Sequence, residues 1–255
     1  MKKDRREFLK LSGLAVCGIL GNTLCDSTAL AREPGVHPNS MKLRGSRWAM
    51  VINPYKCKKG CSDCISACHL AHNVPDFGNP KDEIKWLWLD DYKHTFTSQQ
   101  HQFVKEDYKN RPFPVLCNHC QNPACVRVCP TKATFQRKDG IVLMDYHRCI
   151  GCRFCMAACP YGARSFNWLE PRKVIHKPNI NFPTRTKGVV EKCNFCAERL
   201  AVGKYPLCQK ACKHGAITFG DLHNPSSEVS KILKGNFTIR RKPEIGTGPQ
   251  VYYIA

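Results

Sequence analysis

Four runs of four cysteines are the feature of this chain that could do chemistry. The tightest is Cys149, Cys152, Cys155 and Cys159, a C-x2-C-x2-C-x3-C sequence followed by Pro160. Zinc sites usually take cysteines as two separated C-x2-C pairs. Three thiolates in one short loop, with a fourth one helical step later, suit three corners of an iron–sulfur cubane. The fourth cysteine, ahead of a proline, then reaches a second cluster nearby. Variants are Cys57-x3-Cys61-x2-Cys64-x3-Cys68, with Gly60 in its longer first gap, and Cys117-x2-Cys120-x4-Cys125-x3-Cys129, followed by Pro130. The fourth, Cys193-x2-Cys196-x11-Cys208-x3-Cys212, would by itself also be compatible with zinc. Context argues for the same unit: Cys129 to Phe135, Cys159 to Phe166 and Cys212 to Phe219 each run cysteine, turn, alanine, β-prone segment. That is an internal repeat.

In two-cluster ferredoxins the fourth cysteine of each loop ligates the other loop's cluster. Applied to the second and third loops, one cluster takes Cys117, Cys120, Cys125 and Cys159, and another takes Cys149, Cys152, Cys155 and Cys129. The first and fourth loops flank this unit, and the economical arrangement pairs them too. One cluster is then held by Cys57, Cys61, Cys64 and Cys212, another by Cys193, Cys196, Cys208 and Cys68. The expectation is four [4Fe-4S] clusters. With the cysteine supply complete, His69 and His119 are expected beside clusters or at the surface rather than as ligands. There is no phosphate-binding glycine loop, no nucleophile–base signature and no pair of acid/base carboxylates. The chain reads as an electron carrier without a substrate site of its own.

The elements that position these loops must be small. With 18 cysteines, 17 glycines, 17 prolines and 42% hydrophobic residues in 255, the chain cannot build one large apolar core. Residues 48–52 predict a strand ending at Asn53 and Pro54, which delivers the chain to the first loop. Ile84, Trp86 and Trp88 share one face at strand period, favouring a buried strand over a cluster rather than a docking patch. Residues 134–143 predict a hairpin turning at Asp139 and Gly140. The predicted class is α+β: two ferredoxin-like halves related by pseudo-symmetry, with small cores built around iron–sulfur clusters. Residues 113–170 form the inner half, inserted into an outer half of residues 32–112 and 171–220. Residues 221–255 read as a tail whose last strand packs back on the body, or as a partner-binding arm.

The amino terminus fixes the compartment. Arg5 and Arg6 ahead of Phe8 and Leu9 form a twin-arginine signature, followed by a Gly-interrupted apolar stretch and an A-x-A site at residues 29–31. Residues 1–31 therefore read as a signal peptide, with which Cys17 and Cys25 leave, and a retained anchor is the alternative. This route exports folded proteins with cofactor inserted, which suits clusters and weighs against a disulfide scaffold. The location expected is periplasmic, peripheral to the inner membrane, with attachment through a partner. The formal charge of +20 would suit nucleic acid. Export disfavours that reading and leaves a solvated basic surface or a face toward an acidic partner or anionic lipid.

Four cysteine loops in this order resemble the four-cluster ferredoxin-like electron-transfer subunits of molybdopterin- and polysulfide-reductase-type complexes. Residues 67–75 and 83–88, with the twin-arginine leader, look most like the periplasmic O subunits of Dsr-type sulfite-reduction-associated complexes. The resemblance implies an integral membrane subunit of the polysulfide-reductase type that handles quinone, a multihaem cytochrome c partner, and a place in dissimilatory sulfur metabolism. Equivalent subunits of nitrite, tetrathionate or polysulfide reductases are the alternative within this class. A zinc- or disulfide-stabilised interaction module is the alternative outside it.

Overall fold

The computed structural model describes residues 43–255. The signal peptide and cleavage site expected from the sequence lie outside these residues. The chain enters through β1 (Trp48–Ile52), passes the first cysteine loop into α1 (Asp63–Ala71), and continues through β2 (Leu87–Asp90). Two one-turn helices, α2 (Tyr92–Thr95) and α3 (Glu106–Lys109), precede β3 (Phe113–Leu116) and the second loop, which contains α4 (Ala124–Arg127). Next come β4 (Thr134–Gln136), β5 (Val142–Met144), the third loop with α5 (Phe154–Ala157), and β6 (Ser165–Phe166). The fourth loop follows β7 (Val190–Glu191) and contains α6 (Ala197–Leu200) and α7 (Leu207–Ala211). The chain closes with β8 (Ile217–Asp221), α8 (Glu228–Gly235), β9 (Thr238–Ile239) and β10 (Val251–Ile254). One-turn helices and two-residue strands do not persist alone. They hold their shape because the loops between them are fixed.

The one four-stranded sheet among the described residues has the order β8-β1-β10-β9. β1 pairs antiparallel with β8, from Trp48 opposite Asp221 to Ile52 opposite Ile217, and parallel with β10, starting at Met50 opposite Val251. Period-two alternation sorts its faces. Trp48, Met50 and Ile52 join Ile217, Phe219 and Tyr253 in the main core, whereas Ala49 and Val51 meet Val229 of α8. The last strand is interior to this sheet: Val251 and Tyr253 are fully buried, and the Tyr253 hydroxyl donates to the Pro114 carbonyl at 3.0 Å.

Two local expectations shift in detail. Ile84 and Trp86 are buried, but the strand begins only at Leu87 and Trp88 is half-buried. In the β4–β5 hairpin, Gln136 pairs with Val142 and the Arg137 N–H bonds the Ile141 carbonyl at 2.9 Å. Asp139 and Gly140 therefore lie inside a longer turn, with Gly140 at φ +84°.

One buried ion pair ties separate segments together. Arg185 and Glu191 have fully buried side chains and pair directly. The Glu191 carboxylate also accepts from Trp86 Nε1 at 2.9 Å and Asn167 Nδ2 at 2.5 Å, while Arg185 donates to the His72 and Asn73 carbonyls. Most of the pair's remaining hydrogen-bonding capacity is satisfied, with Arg185 Nε the one guanidinium nitrogen left without a partner, and that offsets the cost of burial. Glu191→Ala leaves the guanidinium buried without a counter-charge and is expected to cost about 3–5 kcal/mol. Thermal unfolding of the cofactor-loaded protein checks this, and an unchanged Tm would show that the pair is not a structural tie.

Candidate metal centres

The cysteine loops share a backbone device. The residue before the second cysteine is left-handed in all four: Gly60 (φ +78°), His119 (+40°), Gly151 (+72°) and Phe195 (+54°). For His119 and Phe195 this conformation is strained, and it persists only because the surroundings fix it. Three residues after the fourth cysteine, Lys132 (+55°), Gly162 (+62°) and Gly215 (+61°) repeat the motif in the last three loops. The sequence repeat is therefore also a conformational one. It aims backbone donors at sulfur: Thr134 N–H at Cys129 Sγ (3.4 Å), Phe195 N–H at Cys193 Sγ (3.4 Å) and Ala216 N–H at Cys212 Sγ (3.2 Å).

The described cysteines are all free thiols. Helix α1 carries Cys64 and Cys68 one turn apart and packs against α7, which brings Cys208 and leads to Cys212. Burial pushes the Cys64 thiol up to about 12, with Cys57, Cys212 and Cys61 adding to the shift. Cys57 is raised to about 11 by burial and then by Cys212 and Cys61. One turn further along α1, Cys68 is raised strongly by burial and by Cys193, Cys208 and Cys196. Burial and its neighbours Cys117, Cys125 and Cys159 lift Cys120 to about 12, against a hydrogen bond from Thr247. Cys155 is raised by burial, opposed by Arg164 and assisted by Cys125 and Cys149. Cys152 is exposed. At Cys129 the upward push of burial is outweighed by hydrogen bonds from the Thr134 N–H and its neighbours, which lower the thiol.

Thiols gathered this way cannot ionise together without a cation among them, and metal binding is what strips their protons. The donor set is soft and all-sulfur, which suits zinc or iron–sulfur centres. Two buried groups bear on this choice. Nε2 of His119 and Nη2 of Arg164 have no hydrogen-bond partner in this sulfur-lined region. Thiolates on any metal can accept such bonds, and a cubane adds inorganic sulfides as further acceptors. The residues present fit iron–sulfur clusters.

Around the thiols lie groups that spacing alone did not identify as functional. His119 stacks on Phe195 with ring centroids 3.7 Å apart, joining the second and fourth loops, and its Nδ1 accepts from the Val142 N–H at 3.0 Å. Buried Lys192 donates to the carbonyls of Val142 and Cys193. His72 places Nδ1 2.8 Å from the Cys68 carbonyl and Nε2 3.0 Å from Glu198. Burial alone would lower the His72 pKa, but hydrogen bonds to Cys196 and Glu198 raise it to about 9. His69 instead meets the Leu87 carbonyl at 3.2 Å. The segment before β10 grips the second loop: Gln121 and Asn122 donate to the carbonyls of Gly248 (2.8 Å) and Thr247 (2.9 Å), and Thr247 also bonds the Tyr161 hydroxyl.

Residues 109–222 match the 4Fe-4S dicluster domain. The chain is 39% identical to the Hdr-like menaquinol oxidoreductase iron-sulfur subunit 1 of Archaeoglobus fulgidus, over 98% of this chain and 97% of that one. It is 38% identical to the menaquinone reductase iron-sulfur cluster-binding subunit of Nitratidesulfovibrio vulgaris, over 82% and 89%. With a tetrathionate reductase subunit of Salmonella typhimurium the identity is 34%, over 100% and 89%.

The grip on the second loop has a direct check. Gly248 sits at φ +64°, and a Cβ there would lie 2.9 Å from Gln121 Cβ. Gly78 is left-handed too (φ +68°), with nothing within 4 Å of a Cβ, so it controls for backbone strain. Gly248→Ala is expected to lower iron content per chain and Tm, and Gly78→Ala to spare iron. Equal behaviour of the two variants would remove the clamp role.

Proposed function

The chain belongs to the 4Fe-4S dicluster family of iron–sulfur electron-transfer subunits, and from that premise we propose that it holds four clusters and connects a redox partner to a quinone-interacting membrane subunit. The observation that carries this reading is the convergence of thiols from different loops. Cys57, Cys61 and Cys64 would share a cluster with Cys212, and Cys193, Cys196 and Cys208 one with Cys68. Cys117, Cys120 and Cys125 would share one with Cys159, and Cys149, Cys152 and Cys155 one with Cys129. When bound, such clusters supply one-electron steps without bond making.

The protein's part is to space these groups and keep water from them. Cys68 feels the charge of Cys64, Cys193 that of Cys117, and Cys155 that of Cys125, which supports a serial arrangement of the four sets. Cys64, Cys68, Cys155, Cys193, Cys196 and Cys208 are buried, whereas Cys152, in the last set of the series, is exposed. The recurring left-handed turns support two ferredoxin-like halves related by pseudo-symmetry, the inner inserted in the outer.

Quinone as the membrane-side reactant is supported by two relatives whose names carry menaquinol and menaquinone. No helix among the described residues is long and apolar enough to cross a membrane, so quinone contact is assigned to a polysulfide-reductase-type partner subunit. The twin-arginine signature supports a periplasmic location. The stretches 67–75 and 83–88 favour a Dsr-type complex with a multihaem cytochrome c. The similarity to a tetrathionate reductase subunit supports the second reading, the same module in another reductase.

Purification of the tagged chain from native membranes, with its partners attached, tests this. The expected result is co-elution of an integral membrane subunit and partial loss of cluster absorbance on adding a menaquinol analogue. A chain that elutes alone, with absorbance indifferent to quinol, would contradict the assignment.

A further inference from the structure

Arg164 is a buried guanidinium with no acid to balance it. It is 5% exposed and forms no ion pair with an Asp or Glu side chain among the described residues. Nη1 donates to Thr134 Oγ1 at 3.2 Å and approaches Met144 Sδ at 3.6 Å, while Nη2 has no partner. Arginine is almost never buried unpaired, because removing its charge from water is costly. Lys192, another buried cation of this region, is satisfied by two carbonyls. Arg164 lacks even that.

Its surroundings supply the missing partner. The groups that outweigh burial and hold its pKa above the ordinary value are Cys125, Cys155 and Cys117. These belong to two different thiol sets: Cys117 and Cys125 come from the second loop, Cys155 from the third. Arg164 also lines the small cavity that Cys117, Cys120, Cys125 and Cys159 enclose. In the internal repeat, the residue after the recurrent alanine is Thr134, Arg164 or Ile217, and all three are buried. Only the copy between these two sets carries a charge at that inward position.

We propose that Arg164 is a positioning residue that hydrogen-bonds sulfur at the junction of these two cluster sites and raises the reduction potential of both. Adding an electron increases the negative charge of a thiolate-ligated cluster, and a fixed cation in a low-dielectric interior favours that more negative form. A guanidinium does not titrate in the working range, so the effect is independent of pH. The proposal rests on the four-cluster reading above.

The test is a potentiometric titration of the loaded protein followed by electron paramagnetic resonance. Arg164→Gln should lower the reduced-to-oxidised ratio of two centres at least tenfold at a fixed solution potential, a shift of 59 mV for one electron. Arg164→Lys, which keeps the charge, should restore most of it, and the remaining centres should not move. Unchanged potentials in the loaded Arg164→Gln protein would overturn the proposal. If that variant does not incorporate clusters, the wild-type protein grown with guanidino-15N-arginine decides. A side-chain nitrogen hyperfine coupling on the reduced centres that is lost in Arg164→Lys supports the role, and its absence from wild type overturns it. Wild-type protein without paramagnetic centres would instead overturn the cluster reading on which the proposal stands.

Discussion

Four thiols brought within electrostatic reach of one another in a dry interior cannot all give up their protons, and the rest of this structure is arranged around that constraint. Burial, above all, raises Cys64 and Cys120 to about 12, and the neighbouring thiols contribute to both shifts. Protonated, these thiols stay neutral; as thiolates they need a metal among them to replace the protons. Local backbone geometry serves the same end. Left-handed turns at His119 and Phe195 accept strain in order to direct chain and sulfur, and N–H groups of Thr134 and Ala216 point at the thiols of Cys129 and Cys212.

The loops are held from outside by segments far away in sequence. β10 runs beside β1, and the turn before it bonds the second loop at Gln121 and Asn122. Arg185 and Glu191 close the gap between the end of α1, Trp86 and the segment entering the fourth loop. A chain of short strands and single-turn helices gains its order from these cross-connections, because the elements themselves contain too few residues for independent stability. Family membership and this architecture agree on the role. The protein positions redox groups, and no part of that role needs a substrate-binding cleft.

Much of the candidate site was legible in the sequence, because coordination chemistry writes itself as spacing. Cysteines two or three residues apart can come only from tight loops or helical turns, and the recurrence of Ala133, Ala163 and Ala216 after the fourth cysteine marked a repeated unit. The burial of Ile84 and Trp86 followed from alternation and size. What escaped were groups whose importance depends on distant partners. Nothing in the local pattern tells that the segment around Thr247 meets Cys120 and Tyr161, that Arg185 finds Glu191, or that His119 stacks on Phe195. Val251 to Ile254 showed strand character but not its interior place, because sheet order is set by tertiary pairing. Arg164 did leave a trace, as the one charged residue in a repeat position otherwise filled by Thr134 and Ile217.

The central claim is that the four thiol sets hold iron–sulfur cubanes. The most direct measurement is the iron, zinc and acid-labile sulfide content of the full-length protein purified without oxygen. Four occupied sets predict about 16 iron and about 16 sulfide per chain, with zinc at trace level. Stoichiometric zinc without sulfide, or thiols lost to disulfides with neither metal present, would contradict the account.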